Sequence, residues 1–577
     1  MKREIRIKQP AGNTVDEFSR ALNISPVTAG LLVNRGITTL TAARSFLQDS
    51  LAQITPPSVI RDIGSAVERI AQAVVIEEKI LVFGDYDADG ITATALLVDF
   101  LQTAGADVSC YIPHRIMEGY GLKTDLITNG AVKPDTDLVI TVDCGSGNRE
   151  AALACRRAGI DLIITDHHQV SPPYPESLAT LNPSRGDCLS GLTMLSGVGV
   201  AFYLVIALRS FLRDQGFWGD RPEPNLKQYC DLVAIGTVAD IVPLIGENRI
   251  FIKAGLELLN DRPRPGIQAL LEVARVKKRP LVAEDIAYIL APRINAAGRI
   301  DHGKTALELL MATDPDQARK IAGILNKLNT KRQFFEEEIS DEIERVINAD
   351  PEMIKSRKTL VLAHRQWHPG IIGIVASRAV RKYFLPVALI ALTGDVGVGS
   401  ARSIPGVNLY EVLSQCAELF EDFGGHARAA GFKIKRENIA RFEKQFEFIV
   451  HRSSQPSAFV PVIDVDSHLP LDRISANLID EIESLQPFGE QNPEPLFLAE
   501  NISVVSSFLI NGRHRKMTLS QGGGSTPAAI NAICFNTPAD QLETRRFQRL
   551  VFRLRRDTFN GKNTSQLIIE YAEAIPD

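Results

Sequence analysis

The chain has 577 residues, 45% of them hydrophobic and 23% charged, and carries a formal net charge of −5 at pH 7. That length suits three or four domains of ordinary globular composition, and no apolar run approaches the ~20 residues needed to cross a bilayer. The slightly acidic balance does not announce a nucleic-acid binder, yet it does not exclude one, because a basic groove can sit on an acidic body.

The N-terminal MKREIRIKQPAG has charges but no apolar core, so it does not read as a secretory signal. Seven cysteines, an odd number with no C-x-x-C, point to reduced thiols in a cytoplasm. Residues 1–50 read as a helical lead-in. From Ala66 helical and strand patterns alternate, with short apolar runs at 80–83, 108–112, 138–143 and 162–166 and a helical segment at 148–158 between the last two. This rhythm predicts a parallel sheet covered on both faces, whose site lies outside the carboxyl ends of its strands. The segment 192–212 is strongly apolar and helical, and 230–239 predicts a helix ending at Asp240.

Residues 305–350, charged and with apolar positions at helical spacing, predict one long helix between domains. A second, smaller α/β unit follows over 351–454, with strands TLVLA and VALIAL. After the linker SSQPSAFVP the pattern turns to short strands at 503–510, 517–519, 529–535, 549–555 and 565–571, which predicts a small all-β barrel over 455–577. The Gly-rich 521–527 reads as a loop. In RRFQRLVFRLRR, alternation puts Arg549, Val551, Arg553 and Arg555 on one face and Leu550, Phe552 and Leu554 on the core side, and GRHRK (512–516) adds basic groups at a turn. A positive groove of this kind suits single strands, whereas the plainer reading is a solvated charged face.

The most informative stretch is KILVFGDYDADGITATALL (79–97). A buried strand runs into a tight turn with Asp85, Asp87 and Asp89 at alternate positions, and a helix begins after Gly90. Three carboxylates in five residues repel strongly, and a helix N-terminus offers only about half a positive charge against them. A divalent metal is the natural neutraliser, since carboxylate oxygens suit Mg²⁺ or Mn²⁺. A solvated acidic turn is the bland alternative. A calcium loop would need a helix where this strand stands.

Further along stand Asp143 in TVDCG, Asp166, His167 and His168 in TDHH, and Asp240 in VADIVPL, each at a strand or helix end. Alone, each is a cap or a surface residue as readily as a ligand. Together they supply enough carboxylate and imidazole to hold two divalent cations about 3.5–4 Å apart, an arrangement that activates a shared water and clamps both oxygens of a phosphoryl displacement. GVGVA (197–201) lacks the G-x-G-x-x-G spacing and follows no strand, so it reads as close helix packing.

GDYDADG, TVDCG, TDHH and VADIVPL resemble, in order, the four motifs of the DHH phosphoesterase superfamily. PHRIMEGYGL (113–122), LSGVGVAFYL (195–204), APRINAAGR (291–299), WHPGIIGIVASR (367–378), GSARSIPGVNL (399–409) and FGGHARAAGF (423–432) narrow the resemblance to its bacterial exonucleases specific for single-stranded DNA. The likeness runs from about residue 50 to the end. It implies an α/β fold: a parallel-sheet DHH domain over 51–304, a connecting helix, a DHH-associated domain over 351–454 and a C-terminal OB-fold barrel.

It further implies two ions, Mn²⁺ or Mg²⁺, one held by Asp85, Asp87 and Asp143, the other by Asp89, Asp143, His167 and Asp240. Asp143 would be the bridge, His168 would face the scissile phosphate and Asp166 would orient the histidines. Arg115, Arg293, Asn295, Arg299, Arg378, Ser400, Arg402, Gly425 and His426 would meet the DNA backbone. The implied reaction is 5′→3′ hydrolysis of single-stranded DNA to 5′-mononucleotides in repair and recombination, by a cytoplasmic monomer partnered by single-strand-binding protein and a repair helicase. The rival readings are a short-oligonucleotide phosphodiesterase and a catalytically altered DNA-binding scaffold. The first would lack the barrel, and the second would have lost ligands that are all present here.

Overall fold

A computed structural model describes residues 3–575 apart from 129, 220, 262, 277–278, 523–528, 558–563 and the side chain of 540. The Gly-rich loop expected at 521–527 therefore falls mostly outside the described residues. No helix among the described residues is long and apolar enough to cross a membrane.

Five parallel strands form the first sheet in the order Asp107–Tyr111, Lys79–Gly84, Leu138–Val142, Asp161–Thr165 and Ala179–Leu181. The central strands read as continuous apolar runs because both faces are covered. On one face lie the helices Ile63–Val75, Ala88–Thr103, Gly197–Asp214 and Cys230–Ala239 around a single large core. The other face packs Phe83, Val139 and Ile164 against Ala151, Ala152 and Cys155 of the helix Arg149–Arg157. Strand order reverses at Lys79–Gly84, so the turn carrying Asp85 opens at a topological switch point.

The single long helix expected over 305–350 is two helices, Lys304–Met311 and Pro315–Ala349. The break has a local cause: Asp314 accepts a hydrogen bond from the Gln317 N–H (2.6 Å), and Pro315 occupies the first turn, where its missing N–H costs nothing. The second α/β unit has a mixed sheet, Phe420–Gly425, Ala429–Lys435, Val396–Arg402, Val387–Thr393 and Leu360–His364, in which only the last pair is parallel.

The C-terminal strands Phe497–Ile510, His514–Gln521, Ile530–Cys534, Thr564–Ala574 and Arg546–Asp557 close into a barrel, the last pairing back onto the first. Residues 3–50 are not only helical: Glu4–Ile7 is a strand paired in parallel with Val462–Val465. Phe18, Leu31 and Leu32 share a core with the barrel's Phe497, Phe547 and Phe552, so the two ends of the chain form one packed unit.

The barrel's arginines lie on the face that alternation predicts, and each has partners inside the protein. Leu550, Phe552 and Leu554 are in the core as alternation requires, but Val551 is buried on the opposite side, under the Val462–Val465 strand. Arg549 pairs with Glu573 (2.6 Å), Arg553 with Glu570 (3.2 Å) and Glu494 (3.3 Å), and Arg555 with Glu494 (2.6 Å) and with Glu284 of the first domain (3.0 Å). Arg515 of GRHRK is buried and donates to the Gln541 and Thr544 carbonyls. Facing carboxylates on neighbouring strands and loops, invisible in a local charge pattern, occupy these guanidiniums.

Candidate metal centre and substrate cleft

The strand Lys79–Gly84 ends directly before Asp85. Gly90 makes the tight turn possible, since a Cβ there would lie 2.7 Å from the Asp85 backbone. Asp87 caps the helix Ala88–Thr103, accepting from the N–H groups of Asp89 (3.0 Å) and Gly90 (3.2 Å). Asp89, buried in the first turn, accepts from Gly197 N (2.6 Å) and Val198 N (2.9 Å) at the start of the helix Gly197–Asp214. The GVGVA segment expected to serve packing alone is thus a helix N-terminus aimed at a carboxylate. Its first glycine is required sterically, because a Cβ would stand 2.4 Å from an Asp143 oxygen.

Asp143 follows the strand Leu138–Val142 in a left-handed conformation, φ 62°, with its N–H bonded to the Thr165 carbonyl (3.0 Å). A non-glycine residue held there is strained, which turns its carboxylate inward at some conformational cost. Asp240 ends the helix Cys230–Ala239, and Ile241 beside it is also left-handed, φ 60°.

The ligand atoms fall into three overlapping groups, each within 4.8 Å: Asp85, Asp87 and Asp143; Asp89, His167 and Asp240; and Asp143, His167 and His168. The His167 Nε2 lies 3.2 Å from Asp143 Oδ1, 3.5 Å from Asp240 Oδ2 and 3.9 Å from Asp89 Oδ2. Burial, aided by the charge on His168, holds His167 down to about 4, so its ring is neutral and offers a lone pair to this nest of oxygens. Burial and mutual repulsion push Asp89 up to about 7 and Asp240 up to about 9, and raise Asp85 and Asp143 well above the carboxylate range.

His168 behaves differently. Burial alone would lower it, but the hydrogen bond from Nδ1 to Asp166 Oδ1 (2.8 Å) and the Asp166 charge prevail, holding it at about 9. Asp166 is correspondingly held down at about 2, against its burial, by His168 first and by further help from the Ser146 N–H. The pairing of His168 Nδ1 with Asp166 sets it apart from His167, whose Nε2 has no hydrogen-bond partner among the described residues. Asp143 belongs to the first and third groups and lies 3.2 Å from His167 of the second. Asp166 also accepts from the backbone N–H groups of His167 (2.7 Å) and His168 (3.1 Å), fixing the turn that presents both rings.

Hard cations fit these residues. Asp85 Oδ1, Asp143 Oδ1 and His167 Nε2 are buried and have no hydrogen-bond partner among the described residues, a costly state that coordination would relieve. The donors are oxygens and one imidazole, the chemistry of Mg²⁺ and Mn²⁺.

Facing the carboxylates is a group of guanidiniums. Arg115 lies over the Tyr86 ring (4.6 Å). Arg299, on the helix Ala291–Ile300, is pushed down to about 9 by burial and by Arg115, Arg332 and Arg402, with Asp87 opposing. Arg402, at the end of the strand Val396–Arg402, donates to Ser400 Oγ (3.0 Å), and burial and then Arg115 lower it. Burial, Arg402 and Arg428 lower His426, which follows Gly425 in a turn where a Cβ would meet the Ala429 carbonyl at 2.4 Å. Arg115, Arg299, Arg402, Ser400, Gly425 and His426 are thus brought together across the two domains.

Three expected contacts have their side chains engaged inside the protein. Arg293 donates to Asn326 (3.0 Å) and the Ile289 carbonyl (2.8 Å). Asn295 accepts from the Ala88 N–H (2.9 Å), bracing the acidic turn, and Arg378 pairs with buried Glu336 (2.6 Å).

Sequence reasoning missed Tyr120, Gly197, Val198 and Arg332. The Tyr120 hydroxyl lies 3.0 Å from His168 Nδ1 and donates to the Asp143 carbonyl (3.2 Å), so it ties the cationic histidine to the strained aspartate. It stood inside PHRIMEGYGL, but nothing in that motif distinguishes it from any exposed tyrosine.

Residues 79–237 match the DHH family N-terminal domain, 356–452 the DHHA1 domain and 465–571 the RecJ OB domain. The chain is 33% identical over 586 residues to the single-stranded-DNA-specific exonuclease RecJ of Escherichia coli, covering 99% of both chains. It is 36% identical over 517 residues to that of Bacillus subtilis, covering 89% of this chain and 64% of that longer protein. Crystal structures of RecJ from Thermus thermophilus superpose over the whole chain, one in complex with Mn²⁺ (TM-score 0.84, 30% identity, 80% of that chain covered) and one with Mg²⁺ (0.75, 28%, 79%).

Proposed function

The chain belongs to the RecJ family of single-stranded-DNA-specific exonucleases, and from that premise we propose that it hydrolyses single-stranded DNA from the 5′ end to 5′-mononucleotides, with two divalent cations, Mn²⁺ or Mg²⁺, at the Asp143 centre. The observation that carries this reading is the juxtaposition of two carboxylate-rich groups, one containing Asp143 and the other meeting it 3.2 Å away at His167, with a guanidinium cluster to which Arg115 and Arg299 of the first domain and Arg402 of the second contribute.

Asp85, Asp87 and Asp143 would hold one ion, and Asp89, His167 and Asp240 with Asp143 the other. Bound there, the ions supply a nucleophile at neutral pH and neutralise charge on the phosphoryl oxygens. The protein's own groups do the rest. The Gly197 and Val198 N–H groups fix the Asp89 carboxylate in one orientation. His168, held cationic by Asp166 and steadied by Tyr120, offers a positive charge and a proton to the phosphate. Arg402 and Arg115 receive phosphate oxygens, and Ser400 holds the Arg402 guanidinium in place. A chain end enclosed by Gly425 and His426 would account for exonucleolytic rather than internal cleavage.

We further infer a cytoplasmic enzyme, in keeping with seven free cysteines, six of them buried, acting as a monomer that meets single-strand-binding protein and a repair helicase on DNA. The test is cleavage of matched single- and double-stranded substrates by chelated protein, before and after Mn²⁺ is restored. Metal-dependent loss of the single strand alone is expected; cleavage that survives chelation would overturn the reading.

A further inference from the structure

Between the two domains of the cleft runs the helix Pro315–Ala349, and one residue on it has no evident reason to be charged. Glu336 is fully buried, 0% exposed. Its two oxygens face two guanidiniums: Oε1 is 3.0 Å from Arg332, one turn back on the same helix, and Oε2 is 2.6 Å from Arg378, on the helix Ile372–Tyr383 of the second domain. Neither oxygen has any other partner among the described residues. Releasing either arginine leaves one buried oxygen with no partner, which favours a single geometry for the three groups.

The arginines lead in both directions. Arg332 is among the charges that lower Arg299 in the cleft. Arg378 fixes the helix Ile372–Tyr383, whose Gly373 lies against the working groups: a Cβ there would be 3.0 Å from both Arg402 Nη2 and Ser400 Oγ. Two neighbouring contacts support the same segment. Arg299 donates to the Gly370 carbonyl (3.2 Å), and Phe335 stacks on His368 with centroids 5.5 Å apart and planes 18° apart.

We propose that Glu336 is a positioning residue for the exonuclease reaction: by joining Arg332 of its own connecting helix to Arg378 of the second domain, it sets how far the Arg402–Ser400 edge stands from the carboxylate centre, and so how tightly a DNA strand end is held. This inference rests on the exonuclease reading above. It assigns Glu336 no contact with DNA or metal.

The experiment is a double-mutant cycle with Glu336→Gln and Arg378→Gln in the full chain, read in three ways: KM and kcat on a 5′-phosphorylated single strand, Mn²⁺ affinity by calorimetry, and thermal melting. Glu336→Gln is expected to raise KM on the order of tenfold, as misplacement of a binding group does, with Mn²⁺ affinity within about twofold of the parent. Arg378→Gln, at a half-exposed position and checked for folding by thermal melting, should raise KM similarly, and the double variant should be no worse than either alone. KM unchanged in a folded Glu336→Gln protein, additive KM effects, or a parallel loss of Mn²⁺ affinity would each overturn the proposal. If Glu336→Gln does not fold, Arg378→Gln against Arg378→Lys decides it: normal KM for Arg378→Gln overturns the proposal, and partial rescue by lysine supports it. A parent protein inactive on single strands would instead overturn the exonuclease reading, whatever the variants do.

Discussion

At the scale of single residues, the acid cluster was the most legible part of the chain. Alternation places Asp85, Asp143 and Asp166 at strand ends that converge, the resemblance to the DHH motifs implies Asp87, Asp89, His167 and Asp240 as further ligands, and the structure gathers the six proposed ligands within a few ångströms. What could not be read was how each is held. The hydrogen bonds from Gly197 to Asp89 and from Tyr120 to the Asp143 carbonyl join residues far apart in sequence with no pattern between them. If Asp143 serves both ions, Asp143→Ala should lower cleavage by on the order of 10²–10³-fold or more, the scale of losing one preorganised electrostatic contact, with the fold intact by circular dichroism; near-parental turnover would refute the bridge. Tyr120→Phe should lower kcat about tenfold or more, as loss of a ligand-orienting partner does, while Mn²⁺ affinity stays put.

The titration of the same carboxylates gives a pH prediction. In chelated protein Asp89 and Asp240 have folded-state values raised to about 7 and about 9, above their unfolded values. The stability they contribute is full below about pH 4 and is lost as pH rises through that window. Cations that keep them ionised should restore it, so the gain in melting temperature on adding Mn²⁺ should be larger near pH 9 than near pH 5.5. An equal gain at both values would mean that these carboxylates do not bind the ion.

At the scale of elements, the predicted strands and most helices lie within a few residues of their observed positions, because buried parallel strands and capped helices carry strong local signals. The failures share a cause. The break before Pro315 was written in Asp314-Pro315, a capping pair that the long charged pattern masked. The strand Glu4–Ile7 exists only because Val462–Val465 is there to pair with it. The barrel's arginines looked free because their carboxylate partners come from other strands and loops. Arg555→Ala should therefore destabilise the protein by about 1 kcal/mol, the upper end for a partly exposed pair, visible as a lower melting temperature. An unchanged melting point with weaker binding of long strands would return the arginine to DNA. Gly197→Ala tests a helix N-terminus: a Cβ 2.4 Å from Asp143 should weaken Mn²⁺ binding far more than it perturbs helix content by circular dichroism.

At the scale of the molecule, the architecture is a sheet domain carrying the acid cluster and a DHHA1 sheet domain set along one helix, with the two chain ends joined in a barrel-centred unit. Alternation and linkers announced the units but not their docking, since contacts such as Arg299 to the Gly370 carbonyl and Arg555 to Glu284 leave no local trace. Under the proposed function, that docking is what would make the acid cluster an end-directed nuclease site and not merely a metal site. The most direct test is to follow one single strand labelled at its 5′ end and, separately, at its 3′ end, with chelated protein started by Mn²⁺. Labelled mononucleotide should appear at the earliest times from the 5′ label, while the 3′-labelled strand shortens through a ladder and yields mononucleotide last. Early release from the 3′ label, or internal fragments from both, would contradict the account.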